Sequence, residues 1–484
     1  MIDFRPALFV IGILLTTLSI AMLAPFAVDI VDGNPDWQVF AGAGLLTLFV
    51  GGVLVLTNRS PARRLSIRQA FILTAASWLA LTTFAALPFV FSGLKLTYTD
   101  AFFEAMSGIT TTGSTVITGL DQAPRGILLW RALLQWLGGI GIIVMAIAVL
   151  PMLRVGGMQL FKVEAFDTQE KILPRAGQIS VWISIVYFGL TAIWWFGLWL
   201  LDMTSFDAII HAMTTIATGG YSSSDGSVGA FGSRPVEIFI IAGMLMGSMP
   251  FLFYLRLVRE GSFALFRDSQ VRCFLAVAGV SAIAVSFWLW DGQHEAVLDA
   301  MVIGTFNTVS MMTGTGFTTG NYQSWGAFPI VILFFLMFVG GCAGSTSCGI
   351  KIFRFQVLFS TVKVQFRRLL QPHGVFVPHY NHRPVQEDVV QSVMNFFFLF
   401  IAAFVILALA LGALGLDYMT AITGAATAIC NVGPAMGPII GPDGTFASLP
   451  DTAKWLLAAG MLFGRLEIFT VLVLFLPQLH ILAM

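Results

Sequence analysis

Apolar residues run along this chain in long blocks separated by short polar segments. A helix of about 20 residues crosses a hydrocarbon core of about 30 Å. Runs of that length lie at about 7–28, 38–57, 69–93, 126–151, 178–201, 235–256, 271–291, 327–353, 388–415 and 452–482, which predicts ten spans. The first run is too long for a signal-peptide core, and no small-residue cleavage site clearly follows it, so it is expected to be a retained span.

Charge between the runs sets the sidedness. Segment 58–68 carries Arg59, Arg63, Arg64 and Arg68, and segment 152–177 carries Arg154, Lys162, Lys171 and Arg175. The pattern continues with Arg256, Arg259, Arg267 and Arg272, then Lys351, Arg354, Lys363, Arg367, Arg368 and Arg383. Opposite loops hold only Lys95, Arg125, Arg234 and Lys454. Basic loops stay in the cytoplasm, so both termini are expected there.

Four loops on the expected extracellular side resemble one another: "TTTGSTV" from Thr110, "IATGGYSS" from Ile216, "TGTGFTTGNY" from Thr313 and "CNVGPAMGP" from Cys430. Aligning Gly113, Gly219, Gly316 and Gly433 gives separations of 106, 97 and 117 residues, a fourfold internal repeat. Upstream of each loop an aspartate, Asp100, Asp207, Asp299 or Asp417, opens a short apolar stretch and is a candidate helix N-cap. A helix of about 10 to 15 residues reaches only about halfway across a bilayer. The predicted fold is therefore an all-α polytopic membrane protein: an N-terminal hairpin (1–68) followed by four pseudo-fourfold span, pore helix, filter loop, span repeats, 69–177, 178–270, 271–387 and 388–484, around one pore.

One Gly/Thr-rich loop between spans is usually a turn or a packing surface. Four copies behind four half-helices point instead to a shared pore. Irregular backbone at membrane depth must line water or be buried in protein, and helix C-termini aimed at one axis favour a cation. Backbone carbonyls from four strands can replace the hydration shell of a monovalent cation, potassium being the natural guest. The expected filter residues are Thr111, Thr112, Gly113, Ala217, Thr218, Gly219, Thr315, Gly316, Asn431, Val432 and Gly433.

Composition agrees with this class: 57% hydrophobic and 10% charged residues, with a mean hydropathy of +0.88. A formal net charge of zero gives no field favouring nucleic acid, and no P-loop, nucleophile-elbow or HExxH motif argues for catalysis or an organic cofactor. Cys273, Cys342, Cys348 and Cys430 lie in or beside apolar segments and read as small buried residues. His373, His379 and His382 share one loop but lack a metal-ligand template, which favours a solvated loop. Arg131, near the end of its span, is expected to snorkel or to pair at the pore helices.

Taken together, the N-terminal hairpin, "WRALLQWLGGIGIIV" from Trp130, the four loops and "GGCAGSTSCGIK" from Gly340 resemble the Trk/Ktr/HKT superfamily of potassium transporters, closest to its bacterial Trk branch. The resemblance covers essentially the whole chain. It implies potassium preference from a glycine in each filter loop, a homodimer with one pore per subunit, the bacterial inner membrane with its lipid as surroundings, and a cytosolic nucleotide-binding regulatory ring (TrkA-like). Two positions depart from the family pattern: Ala435 stands where a glycine is common, and Ser347-Cys348 stand where glycines are usual.

Two features below the filter bear on gating. The run 327–353 is interrupted by small residues, which reads either as a close helix-packing surface or as an intramembrane loop that blocks or permits ions. The second reading is also what the resemblance implies, with Gly340, Gly341, Gly344, Ser345, Thr346, Gly349 and Lys351 as gating residues. Arg465 sits inside the last run, where a charge costs about 2.5–3.5 kcal/mol on insertion scales, and Glu467 is poorly spaced to pair with it on a helix. The resemblance makes Arg465 an electrostatic barrier facing the pore; a purely structural role is the alternative. Two other functions compete: a cation-coupled secondary transporter of another ion such as sodium, and a membrane-embedded enzyme. The repeats run parallel, as a pore requires, and the spans hold few titratable residues.

Overall fold

The computed structural model describes residues 4–59, 67–148, 157, 176–261, 267–292, 296–381 and 383–473. The basic segments around Arg63, Arg64, Arg154, Lys162, Lys171 and Arg175, together with His382 and the end of the last predicted span, lie outside these.

Every predicted apolar run contains helix where it is described, and seven are continuous or nearly so. α1 (Arg5–Ala21) and α2 (Leu23–Val31) form the first, and α3 (Trp37–Thr57) packs back against α1. Gly12 and Gly51 permit that approach: a Cβ on Gly12 would lie 2.8 Å from Gly51 O. The first repeat follows as α4 (Ile67–Ala85) with α5 (Leu87–Phe91), half-helix α6 (Tyr98–Ile109) and α7 (Arg125–Ala148). The second holds α8 (Ala176–Leu200), half-helix α9 (Ser205–Ile216), α10 (Arg234–Gly247) and α11 (Phe251–Glu260). The third holds α12 (Ser269–Gly292), half-helix α13 (Val297–Thr313), α14 (Ala327–Phe338) and α15 (Ile352–Leu370). The fourth holds α16 (Glu387–Ala413), half-helix α17 (Tyr418–Cys430), α18 (Asp451–Arg465) and α19 (Ile468–Leu472). A two-residue antiparallel hairpin pairs His379–Tyr380 with Arg383–Pro384 beyond α15.

The half-helices sit at the centre. Every residue of α6 from Ala101 to Ile109 is buried, and α9 and α17 are buried almost as completely. Helices buried all round must be enclosed by others rather than lie on a surface, and the longer spans supply that wall. With 12 residues, α6 and α9 are about 18 Å long. α13, with 17 residues, is longer than expected.

Three predicted spans are broken, each the closing span of its repeat. The run 235–256 bends by 96° between α10 and α11, where Pro250 lacks the N–H a continuing helix needs. The run 327–353 stops at Phe338 and resumes at Ile352, so its middle is a loop and not a helix. The last run breaks after Arg465, where Glu467 takes φ +57°. Only the closing span of the first repeat, α7, runs through to Ala148.

The aspartates need a correction. Asp417 is the N-cap of α17 and accepts from Thr420 N at 3.0 Å, but Asp100, Asp207 and Asp299 lie three residues inside their helices. Thr97 and Thr204 are the caps of α6 and α9, accepting from Asp100 N at 3.2 Å and Asp207 N at 3.1 Å. Each threonine hydroxyl donates back to the aspartate carboxylate, which orients the capping oxygen. Ala296 precedes α13 without a side-chain cap. The inner aspartates are free to pair elsewhere: Asp100 with Lys454 of the fourth repeat at 2.5 Å, and Asp299 with Arg234 of the second at 2.8 Å. Thr204→Ala and Asp417→Ala are each expected to destabilise the folded chain by about 1 kcal/mol, read as lowered melting temperatures in detergent.

Candidate functional site

The four half-helices end at a closed ring of backbone. α6 ends at Ile109, α9 at Ile216, α13 at Thr313 and α17 at Cys430. Just beyond, Thr111, Thr218, Gly314 and Asn431 all take positive φ, +53°, +48°, +76° and +52°. Two residues further on stand Gly113, Gly220, Gly316 and Gly433, of which the first three again have positive φ. A Cβ on Gly113 would strike Gly219 O and lie 3.3 Å from Gly433 Cα. One on Gly316 would lie 2.9 Å from Gly433 N, and one on Gly220 would strike Thr315 O. Each loop thus abuts the next around an axis, and the C-terminal, partially negative ends of four helices converge on that axis.

This geometry shifts the expected register in the second repeat by one residue. Thr112 N, Gly219 N and Val432 N each donate to the carbonyl five residues back, which aligns Gly219 with Thr112 and not with Gly113. The partner of Gly113 is Gly220. Residues in register with Thr111, Thr112 and Gly113 are therefore Thr218, Gly219 and Gly220; Ala217 falls on the helix cap, and Gly314 joins Thr315 and Gly316 in the third repeat. In "ATGGY" either glycine fits the spacing, and only the helix end decides between them. The hydroxyl pairs Thr110–Thr112 at 2.7 Å and Thr313–Thr315 at 2.8 Å repeat the same relation, confirming the register of the first and third loops.

Nine residues before each ring glycine is a position that braces the returning loop. Glu104 accepts from Val116 N at 2.9 Å and Thr115 Oγ1 at 3.0 Å. His211 Nε2 contacts Ser222 Oγ at 3.0 Å, and Asn307 Nδ2 donates to Thr319 Oγ1 at 2.7 Å. In the fourth repeat this position is Gly424, and the neighbouring Thr423 Oγ1 donates to Met436 O at 2.7 Å instead. Arg131 does pair at a pore helix: its Nε meets Glu104 Oε1 at 2.8 Å, its Nη1 donates to Ser222 O at 3.0 Å, and its guanidinium lies 4.0 Å from the Tyr221 ring centroid. Both members of the pair are buried, so the ion pair joins the first two loops away from solvent. Tyr221 Oη donates to Glu104 O and Ser114 O, and Tyr322 Oη to Ala435 O at 2.7 Å, which is the contact made at one departure from the family pattern. Sequence reasoning passed over Glu104, Gln135, Tyr221 and Tyr322. A carboxylate within a half-helix was a signal for the first, since a buried charge requires a partner.

On one side of the ring is an open vestibule of about 320 Å³ bordered by Gly113, Gly220, Gly316 and Gly433 with Asp225 and Asp443. On the other, the segment between α14 and α15 folds under it. Gly340 N donates to Ile350 O at 2.9 Å and Ile350 N to Phe338 O at 3.0 Å, so the two ends of the loop pair with each other. Gly344 and Gly349 take φ +75° and +71°. The loop also satisfies the broken second-repeat span: Cys342 N donates to Ser248 O at 3.0 Å, Phe251 N to Gly344 O at 3.0 Å, and Thr346 Oγ1 to Gly247 O at 2.8 Å. Ser345 Oγ donates to Cys342 O, Ser347 Oγ accepts from Gly341 N, and Lys351 Nζ donates to Ser347 O.

Arg465 reaches this loop from the fourth repeat. Its Nη1 donates to Thr346 O at 3.2 Å and contacts Cys348 Sγ at 2.6 Å, while Nε and Nη2 are buried without a hydrogen-bond partner among the described residues. Cys348 Sγ in turn lies 3.6 Å from Thr111 Oγ1 at the base of the ring. Glu467 turns away from Arg465 and meets Arg354 Nη2 at 2.5 Å, and the Arg354 guanidinium covers the Phe396 ring at 3.7 Å. A cavity of about 40 Å³ lies among these groups. Of the histidines in the loop beyond α15, His373 and His379 are exposed.

Comparison with known proteins agrees with this architecture. Residues 36–482 match the TrkH family, described as cation transport proteins. The chain is 44% identical over 476 residues to the Trk system potassium uptake protein TrkI of Halomonas elongata, covering 98% of this chain and 96% of that protein. It is 36% identical to the TrkH protein of Escherichia coli K12, covering 98% and 99%. The crystal structure of the potassium transporter TrkH from Vibrio parahaemolyticus superposes with a TM-score of 0.91 at 34% identity, covering 99% of this chain and all of that one. The chain is an all-α polytopic membrane transport protein, not an enzyme, and belongs to the TrkH family.

Proposed function

We propose that this protein takes up potassium across the bacterial inner membrane through the ring formed by Thr111–Gly113, Thr218–Gly220, Gly314–Gly316 and Asn431–Gly433. The observation that carries the reading is the closure of four glycine loops, in one register, at the converging C-termini of four buried half-helices. Backbone carbonyls there can replace a cation's hydration shell, and the helix ends favour positive charge. The names of the relatives, potassium uptake proteins of Trk systems, support potassium as the substrate.

In this reading the four repeats are the functional units and the N-terminal hairpin stands outside them. The loop Gly340–Gly349 is the gate, with Lys351 at its end. It fills the space under the ring, and its small residues and two left-handed glycines allow a second arrangement. Arg465 is the electrostatic element of that gate, since a guanidinium with two unpartnered nitrogens beneath a cation path raises the barrier to passage. The termini face the cytoplasm, two chains form a homodimer with a pore in each, and a nucleotide-binding ring (TrkA-like) acts on the basic face. The word "system" in the relatives' names supports such a regulatory component.

Uptake of potassium, rubidium and sodium in a potassium-uptake-deficient bacterial strain tests the filter. The wild type is expected to favour potassium and rubidium, and Gly113→Ser and Gly220→Ser to lose most of that preference; no preference in an assembled wild-type protein would sink the reading. Arg465→Ala is expected to raise potassium flux at normal expression, on the order of tenfold if the barrier falls by about 1.4 kcal/mol. Unchanged or lower flux would remove Arg465 from the gate.

A further inference from the structure

The second filter loop contains a glycine that its backbone angles do not require. Gly220 takes φ +78°, and a side chain there would strike Thr315 O, so glycine is needed. Gly219 has no positive φ, and the residues in register with it, Thr112, Thr315 and Val432, all carry side chains. The space that a side chain at 219 would use is taken by Gln135 of α7, whose Cδ a Cβ on Gly219 would strike. The fully buried Gln135 amide donates from Nε2 to Gly219 O at 2.6 Å and accepts at Oε1 from Tyr221 N at 3.0 Å. A carbonyl on one side and an N–H on the other fix which end of the amide is oxygen. The carbonyls of Thr112, Thr315 and Val432 accept no hydrogen bond among the described residues. At this level of the ring three carbonyls are open and one is held.

We infer that Gln135 is a specificity-determining positioning residue: its amide fixes the Gly219 carbonyl so that the second repeat presents a restrained dipole to the permeating ion. The inference rests on the filter reading above. A carbonyl oxygen has two lone pairs, so it can accept from Gln135 and still face a cation. Tied to a neutral donor and to the chain two residues on, it resists the rotation that would let the ring contract around a smaller ion. Discrimination in a carbonyl filter depends on the number and field strength of its dipoles and on how far they can move. Gln135 acts on the second of these without touching the ion, from an element of the first repeat, and the glycine at 219 exists to admit it.

The test compares potassium and sodium uptake by the full chain in a potassium-uptake-deficient strain, for wild type, Gln135→Glu and Gln135→Leu, with assembly checked by size-exclusion chromatography. Gln135→Glu keeps the length of the side chain and an acceptor for Tyr221 N but loses the donor to Gly219 O; Gln135→Leu loses both bonds. In both, the potassium-to-sodium ratio is expected to fall roughly fivefold, the effect of one neutral hydrogen bond, through a rise in sodium uptake. If neither variant assembles, Gln135→Ala with Gly219→Ala, which removes the amide and refills part of its space, is judged by the same ratio. An unchanged ratio in an assembled variant, or an equal loss of both fluxes, overturns the inference while leaving the filter reading intact. A wild type without potassium preference overturns the filter reading itself.

Discussion

Backbone that leaves the helix inside a hydrocarbon layer must find partners for its N–H and C=O groups, because lipid offers none. This chain leaves the helix in two kinds of place at membrane depth, four loops after the half-helices and three breaks in the closing spans, and most of its buried polar side chains attend to one or the other. Glu104, His211 and Asn307 tie the returning loops to the helices they follow, and Arg131 and Tyr221 tie the second loop to the first repeat. The segment after α14 is tied to the bent second-repeat span through Ser248, Gly247 and Gly344. Two irregular stretches satisfying each other is cheaper than each requiring its own helix cap, and it couples them mechanically.

That coupling has a direction. Among the described residues three closing spans are interrupted and one, α7, is not. α7 carries Arg131 and Gln135, which hold the first two ring loops from buried positions, so the unbroken span is the one that positions the ring. The interrupted spans gather beneath the ring, where Arg465 bonds the loop at Thr346 O and at the Cys348 thiol below Thr111. The ring is thus held by the unbroken span, and the breaks in the other closing spans lie beneath it.

Pseudo-fourfold design does not make the four loops alike. The bracing position is an acid, a histidine, an asparagine and a glycine in turn. The first three serve the same loop return with different chemistry, because each faces different neighbours: Glu104 meets Arg131 and His211 lies among Phe231 and Phe317, whereas Gly424 leaves the task to Thr423. On one chain the repeats can diverge in this way, whereas four identical subunits could not.

Much of this was legible in the sequence. Blocks of apolar residues long enough to span, basic segments between alternate blocks and four glycine loops at near-regular spacing follow from local composition, because burial in lipid acts on each segment independently. The half-helices were equally visible, since a run too short to span declares itself by length. What tertiary structure decided was whatever depended on a neighbour. Pro250 marks a break in its span, but the bend of 96° and the loop that bonds Ser248 and Phe251 beside it are visible only in the fold. Thr97 and Thr204 hold the capping positions, while Asp100 pairs with Lys454 of another repeat and Asp207 accepts from Ser223 of its own returning loop. In "ATGGY" the sequence offered two glycines for one ring position, and the point where α9 ends chose Gly220, while a glutamine 84 residues earlier in the chain occupied the space beside Gly219. Such choices rest on contacts between segments far apart in sequence, and no local pattern records them.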